Sequence, residues 1–174
     1  MCAAAVALLL SSCSGGGDGT TVDGTLDDTV DVSSSAVIVT NARAAATAVE
    51  VELGGPQEFF EITTTPQLTN VFVVADGGTT AIPFTYVDGE LQPPAPAIVG
   101  VTGQSFSVDA LDFDDDTVLS GIATDLPSGT IDAFSIEGGA GGFVRYVVSV
   151  RSAQGGVLDV VVAPSGAVVE VNPL

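Results

Sequence analysis

Two series of short valine- and threonine-rich runs, each preceded by a longer helix-like run, constrain what this chain can fold into. In the first series Glu58–Thr64, Asn70–Ala75 and Thr80–Val87 are separated by Thr65-Pro66, Asp76-Gly77-Gly78 and Asp88-Gly89, with a short Glu90-Leu91 after the last turn. β-Branched and aromatic residues favour strands, and Gly, Pro, Asp and Asn punctuate them with turns. In the second series Ile131–Glu137, Phe143–Ser152 and Val157–Ala163 are followed by Pro164-Ser165-Gly166 and Ala167–Val171. Short connections join antiparallel neighbours, because a parallel pair needs a long crossover.

The run before each series reads as a helix. Thr40–Leu53 is alanine-rich and is stopped by Gly54-Gly55-Pro56, as expected of good helix formers followed by a breaker. Asp116–Leu126 carries apolar residues at 118, 119, 122, 123 and 126, close to helical spacing. Asp114–Asp116 place acids where the helix dipole favours them. Val101–Leu111 is a further strand candidate, and Pro93-Pro94-Ala95-Pro96 is a stiff linker between the two series.

The two series correspond in detail. Phe60 and Ile62 match Phe134 and Ile136, Val71–Val74 matches Tyr146–Ser149, and the turn at Gly89 matches the turn at Gly166. The predicted fold class is therefore α+β: two tandem helix-plus-antiparallel-meander repeats, each a helix packed on a sheet of three or four strands. The expected organisation is a signal segment at 1–12, an acidic Gly/Ser/Asp tether at 13–34, a first repeat at 35–97 and a second at 98–174. The order of elements over residues 40–173 resembles the tandem PepSY-type, or beta-lactamase-inhibitor-like, arrangement of secreted bacterial proteins. That resemblance implies a protein that binds or inhibits other proteins. It carries no diagnostic motif, so no residue is assigned a role from it.

The N-terminal segment speaks to location. Met1–Ser12 is a short apolar run ending in small residues, followed by Cys13 and Ser14-Gly15-Gly16-Gly17. Leu10-Ser11-Ser12-Cys13 resembles the lipobox of bacterial lipoproteins, and the chain is similar in this respect to lipoproteins of high-GC Gram-positive bacteria. The apolar stretch Ala3–Leu10 suits a signal h-region and is far short of the roughly 20 residues that span a bilayer. The resemblance implies lipidation at Cys13, attachment to the extracytoplasmic face of the membrane, and two or three acyl chains, enough for stable anchoring. The positive n-region expected of a signal peptide is missing, which an upstream start would supply. Cys2 falls in the removed segment. Ser14–Asp31 is too poor in large apolar groups to fold by itself.

Composition excludes whole classes of chemistry. The chain has no His and no Lys, and its only basic side chains are Arg43, Arg145 and Arg151. Ser-His-Asp and Cys-His machinery, Schiff bases, Ser-Lys dyads and the P-loop lysine are absent. A net charge of −19 opposes nucleic acid, whose binding rests on cationic contacts to phosphate, and opposes adhesion to anionic headgroups. We therefore expect a non-enzymatic protein without a cofactor, attached to the membrane through Cys13, whose partner is a protein of the cell envelope. The alternative is a carrier of an apolar ligand or lipid, for which a large internal cavity is the mark.

Three clusters are candidates for a site. Asp112, Asp114, Asp115 and Asp116 form the densest acid run. Counted from Asp112, the sixth position of an EF-hand loop is Thr117 and the twelfth is Ala123, where Gly and Glu belong; helix capping explains the run without a metal. Gly138–Gly142 joins two strands rather than opening a helix, so it reads as a hairpin loop and not as a phosphate cradle. Arg145 and Arg151 are six residues apart on one strand and share a sheet face, where they form either carboxylate pairs or an anion or partner site. Phe59, Phe84, Tyr86 and Tyr146 are candidates for a groove, with core packing as the competing role.

Overall fold

The computed structural model describes residues 32–127, 129–153 and 155–174, with side chains from residue 36 onward. Cys13 and the segment 1–31 lie outside the described residues. The chain runs α1 (Val32–Leu53), β1 (Glu58–Thr64), β2 (Thr69–Ala75), β3 (Thr80–Val87), β4 (Glu90–Leu91), β5 (Ile98–Val99), β6 (Phe106–Ser107), α2 (Asp115–Asp125), β7 (Gly129–Gly138), β8 (Val144–Ser152), β9 (Val157–Val162) and β10 (Val168–Pro173). The first helix begins at Val32 rather than at Thr40, so Val32–Ser34 are helical and not part of the tether. Val101–Leu111 is not one strand: it holds only the two-residue β6 and a 3-10 turn over Val108–Ala110.

All ten described strands belong to one antiparallel sheet in the order β10-β9-β8-β7-β1-β2-β3-β4, with β5 on β3 and β6 on β1. The two expected sheets are thus fused along β1 and β7, where Glu61, Ile62, Thr63 and Thr64 pair with Glu137, Ile136, Ser135 and Phe134. At the centre of this seam the hydroxyls of Thr63 and Ser135 are 2.9 Å apart.

The strands on either side of the seam share a burial pattern. Phe59–Thr64 reads buried, half-buried, half-buried, buried, half-buried, buried, and Ile131–Ile136 repeats it. Each carries a ladder irregularity at the same place, between Phe59 and Glu61 and between Ile131 and Ala133. The sequence match of Phe60 and Ile62 with Phe134 and Ile136 is therefore two residues out of register; Ile62 and Thr64 occupy the like positions. The bulge leaves Phe60 on the open side, so it cannot be the counterpart of the inward Phe134.

One face of the sheet is covered. Ile38, Val39, Ala42, Ala45, Ala46 and Val49 line the buried side of α1, at helical spacing. They share a single core with Phe59, Ile62, Val71, Val73 and Phe84 of the first strands and Ile131, Phe134, Ile136, Tyr146, Val148 and Val160 of the later ones. Val118 and Ile122 bring α2 into the same core. Gly121 of α2 meets the β9–β10 turn so closely that a Cβ there would lie 1.9 Å from the Gly166 carbonyl oxygen. No described helix is long and apolar enough to cross a membrane.

The proline-rich linker seals the side of β3. Gln92 and Ala95 donate their amides to the carbonyls of Thr85 and Pro83, at 2.8 and 2.9 Å. Pro83 tolerates its place in β3 because its missing N–H belongs on this edge, where no ladder bond to β2 is lost.

Candidate functional site

The face of the sheet opposite the helices holds the residues most available for recognition. A regular β1 would alternate sides, but the bulge between Phe59 and Glu61 leaves both Phe60 and Glu61 half-buried on the open side. Bulges re-aim side chains in this way. In β2 the inward Val71 and Val73 turn Phe72 outward beside them. Beyond β5, which pairs Ile98 with Ala81, the chain crosses the end of the sheet. It is held by the Gly100 amide on the Thr79 carbonyl at 2.8 Å and by a bridge between Gln104 and Gly138.

This crossing segment and the sheet bound a cavity of 340 Å³. Phe60, Phe72, Ala81, Ile98 and Val101 give it apolar walls, and Glu61 and Glu137 bring carboxylates to it. Gly138 is required by the geometry, because a Cβ there would sit 2.2 Å from the Gln104 carbonyl oxygen. The volume is at the small end of the range for ligand pockets, about 300 to 1,000 Å³.

Charges on the open face are arranged in cross-strand pairs. Arg145 reaches Glu137 at 3.1 Å and Arg151 reaches Asp132 at 2.7 Å, so both guanidiniums are on the face that period-two spacing assigns them. Glu61 lies directly opposite Glu137 in the ladder, and like charges so placed repel. Glu137 has Arg145, whereas Glu61 is held at 2.6 Å by the Thr63 hydroxyl and has no ion pair among the described residues. Ser149 donates to Asp159 at 2.7 Å on the same face. Arg43 is on the helix side, 4.7 Å above the Phe113 ring and donating to the Phe113 carbonyl at 3.2 Å.

The carboxylates of Asp112, Asp114 and Asp115 each accept from a different partner. Asp114 caps α2, accepting from the Thr117 amide and hydroxyl at 2.9 and 2.7 Å. The Thr117 hydroxyl, and then its amide, hold the Asp114 carboxyl below its ordinary range. Asp112 accepts from the Tyr146 hydroxyl at 2.8 Å. Burial, and then this bond to Asp112, push the Tyr146 phenol well above its ordinary range. Asp115 accepts from Thr40 at 2.9 Å, and the Asp116 carbonyl accepts from Ser120. Among the described residues, no three His, Cys, Asp or Glu side chains are grouped so as to hold a metal ion.

The aromatic candidates are redistributed. Phe59, Phe84 and Tyr146 are core residues and Tyr86 packs against the core; Phe60 and Phe72 line the cavity instead. Phe72 is discernible in the sequence as an aromatic ring on the polar side of an alternating strand. Phe60 is not, because its side depends on the bulge. The chain matches no protein-family model and no curated protein sequence.

Proposed function

We propose that this protein is a non-enzymatic binding module, lipid-anchored at Cys13 on the extracytoplasmic side of the membrane, that engages a protein partner through the open face of its sheet. The observation that carries this reading is the asymmetry of the two faces. The interior between helices and sheet is filled by fully buried side chains such as Tyr146, Phe59, Phe134 and Ile62. The opposite face displays paired charges, hydroxyls and an apolar cavity. A packed interior favours protein binding over the carriage of a lipid between the layers, which needs a cavity there.

The carboxylates Glu61 and Glu137 do not favour a glycosidase. The two acids of that chemistry flank a bond from either side, whereas these are adjacent positions on one wall.

The fold reads further as a duplicated unit of helix plus meander, related by an approximate twofold axis through Thr63 and Ser135. The symmetric strand order, the shared burial pattern and the coincident bulges support this. It is the arrangement to which the PepSY-type resemblance points.

Two measurements test the proposal. A photo-crosslinking residue at Val74 or Val161, on the open face, is expected to give discrete protein adducts in the native cell envelope, and one at Thr47 or Ser120, on the helix layer, is not. Adducts from neither face, or equally from both, would sink it. Anchoring is tested separately: Cys13→Ser should abolish acyl mass and release the protein from membranes.

A further inference from the structure

We infer that the cavity bounded by Phe60, Phe72, Ile98 and Val101 receives an arginine side chain presented by the protein partner, with Glu61 as its counter-ion. The inference rests on the protein-binding reading above and specifies where on the face the partner is gripped.

The walls and the mouth of the cavity make opposing demands. Aromatic rings and aliphatic side chains favour a group that leaves water, while Glu61 and Glu137 stand at the same cavity. A purely apolar occupant would desolvate these carboxylates without compensation, which is costly. An anion would meet two like charges in a chain of net charge −19. A hard metal ion wants six or more oxygens, and one of the two carboxylates is already committed to Arg145. A guanidinium satisfies both demands, since its plane stacks on aromatic faces while its N–H groups fork onto a carboxylate.

The second half of the sheet supplies an independent argument. There the bulge also exposes an acid, Asp132, and the neighbouring strand provides Arg151 at 2.7 Å. The ladder registers place Val74 of β2 where β8 has Arg151, because Val73 faces Phe59 as Val150 faces Ile131. The same registers place Phe60 where β7 has Asp132, so the first half replaces that internal ion pair by two apolar side chains and leaves the neighbouring acid, Glu61, without a cation among the described residues. The partner completes the pair.

The test uses the full-length chain in detergent and the acetylated, amidated peptide Gly-Ser-Leu-Arg-Leu-Ser-Gly. Nitrogen-15 amide shifts at Gly103 and Gly138 report the cavity, since Gly103 sits against the Phe60 ring and Gly138 beneath Gln104. The peptide should shift both saturably. Replacing its arginine by citrulline, or the protein's Glu61 by Gln, should each weaken binding about tenfold or more, the scale of a charged hydrogen bond. Glu61→Gln keeps the side-chain shape and an acceptor for Thr63, so the variant should fold as the native chain does, and an unchanged spectrum elsewhere verifies it. No saturable shift at these amides, or equal affinity for the citrulline peptide or the E61Q protein, would overturn the inference. So would agmatine binding as tightly as the peptide, which would mark a pocket for small cations. If crosslinks from Val74 persist undiminished in the E61Q protein, the cavity assignment fails while the face remains the binding surface.

Discussion

The strands β1–β4 and β7–β10 lie on either side of one seam and are filled differently. In the first half a 22-residue helix lies on the sheet through Ala42, Ala45 and Ala46, all fully buried. In the second an 11-residue helix is drawn in by backbone contact between Gly121 and Gly166. At the end of the first hairpin Thr64 and Thr69 are buried with their hydroxyls 3.1 Å apart; the like ladder positions of the second hold Ile136 and Tyr146. Tyr146 joins Phe113 and Phe134 in an aromatic cluster, with ring centroids 5.1 to 6.2 Å apart. This sheet tolerates two quite different ways of attaching a helix, provided that the inward positions of the bulged strands are kept.

The largest effect is expected at the glycine contact. Gly121→Ala would place a methyl group against the Gly166 carbonyl. It should destabilise the fold by about 3 kcal/mol, the upper part of the range for overpacking. Gly103→Ala on the other side of the sheet, whose Cβ would meet only the Phe60 ring at 3.4 Å, should be tolerated. Denaturant melts of both variants decide this, and equal losses would mean that α2 is not held by its glycine.

Next in size is the tether of the aromatic cluster. Tyr146→Phe removes the hydroxyl bonded to the Asp112 carboxylate and amide, and should cost about 1 to 2 kcal/mol. Because the phenol's folded-state pKa is raised above its ordinary 10.0, its contribution is complete below that pH and declines as pH rises through and beyond it. The tyrosinate absorbance that Tyr146→Phe removes should therefore emerge only with alkaline unfolding. Its appearance in the folded protein near pH 10 would contradict the burial.

A smaller effect is expected at the start of α2. The Asp114 carboxyl is lowered from 3.8, so its stabilising share is complete above that value and is lost as pH falls through the lower folded value. Melting temperatures compared with Asp114→Asn between pH 2 and 6 should converge at the acid end. A constant difference throughout would show that capping does not depend on the charge.

The smallest effects have opposite signs in the two halves. Arg151→Gln removes an exposed ion pair and should cost less than about 1 kcal/mol. Glu61→Gln relieves the facing of two carboxylates and should stabilise the free protein by about 0.2 to 1 kcal/mol. Destabilisation by both would mean that Glu61 is already compensated within the chain, and the asymmetry between the halves would vanish.

Local pattern made most elements readable. Alternation and turn residues marked Glu58–Thr64, Thr80–Val87 and Phe143–Ser152 because pleat and turn chemistry act over a few residues. The common side of Arg145 and Arg151 followed from the same period. The seam between β1 and β7 was not readable, since pairing partners seventy or more residues apart leave no local trace. The cavity was hidden for a compound reason. Phe60 reaches it only through a bulge, and Ile98 and Val101 only because the linker folds back along β3. The acid run at Asp112–Asp116 could be read as capping, but the engagement of Asp112 by Tyr146 depends on tertiary contact alone.

The proline-bearing linker also governs how this sheet can be extended. On the β3 side the outermost row consists of two-residue strands joined through Pro93, Pro94 and Pro96, which offer no amide donors to an incoming strand. On the far side no described strand pairs with the outer edge of β10, where Val169 and Val171 are exposed. A sheet that accepts a strand on one side only is a chain terminator: a second copy joining edge to edge would close the assembly at two, and stacking into a fibre has no second face from which to grow.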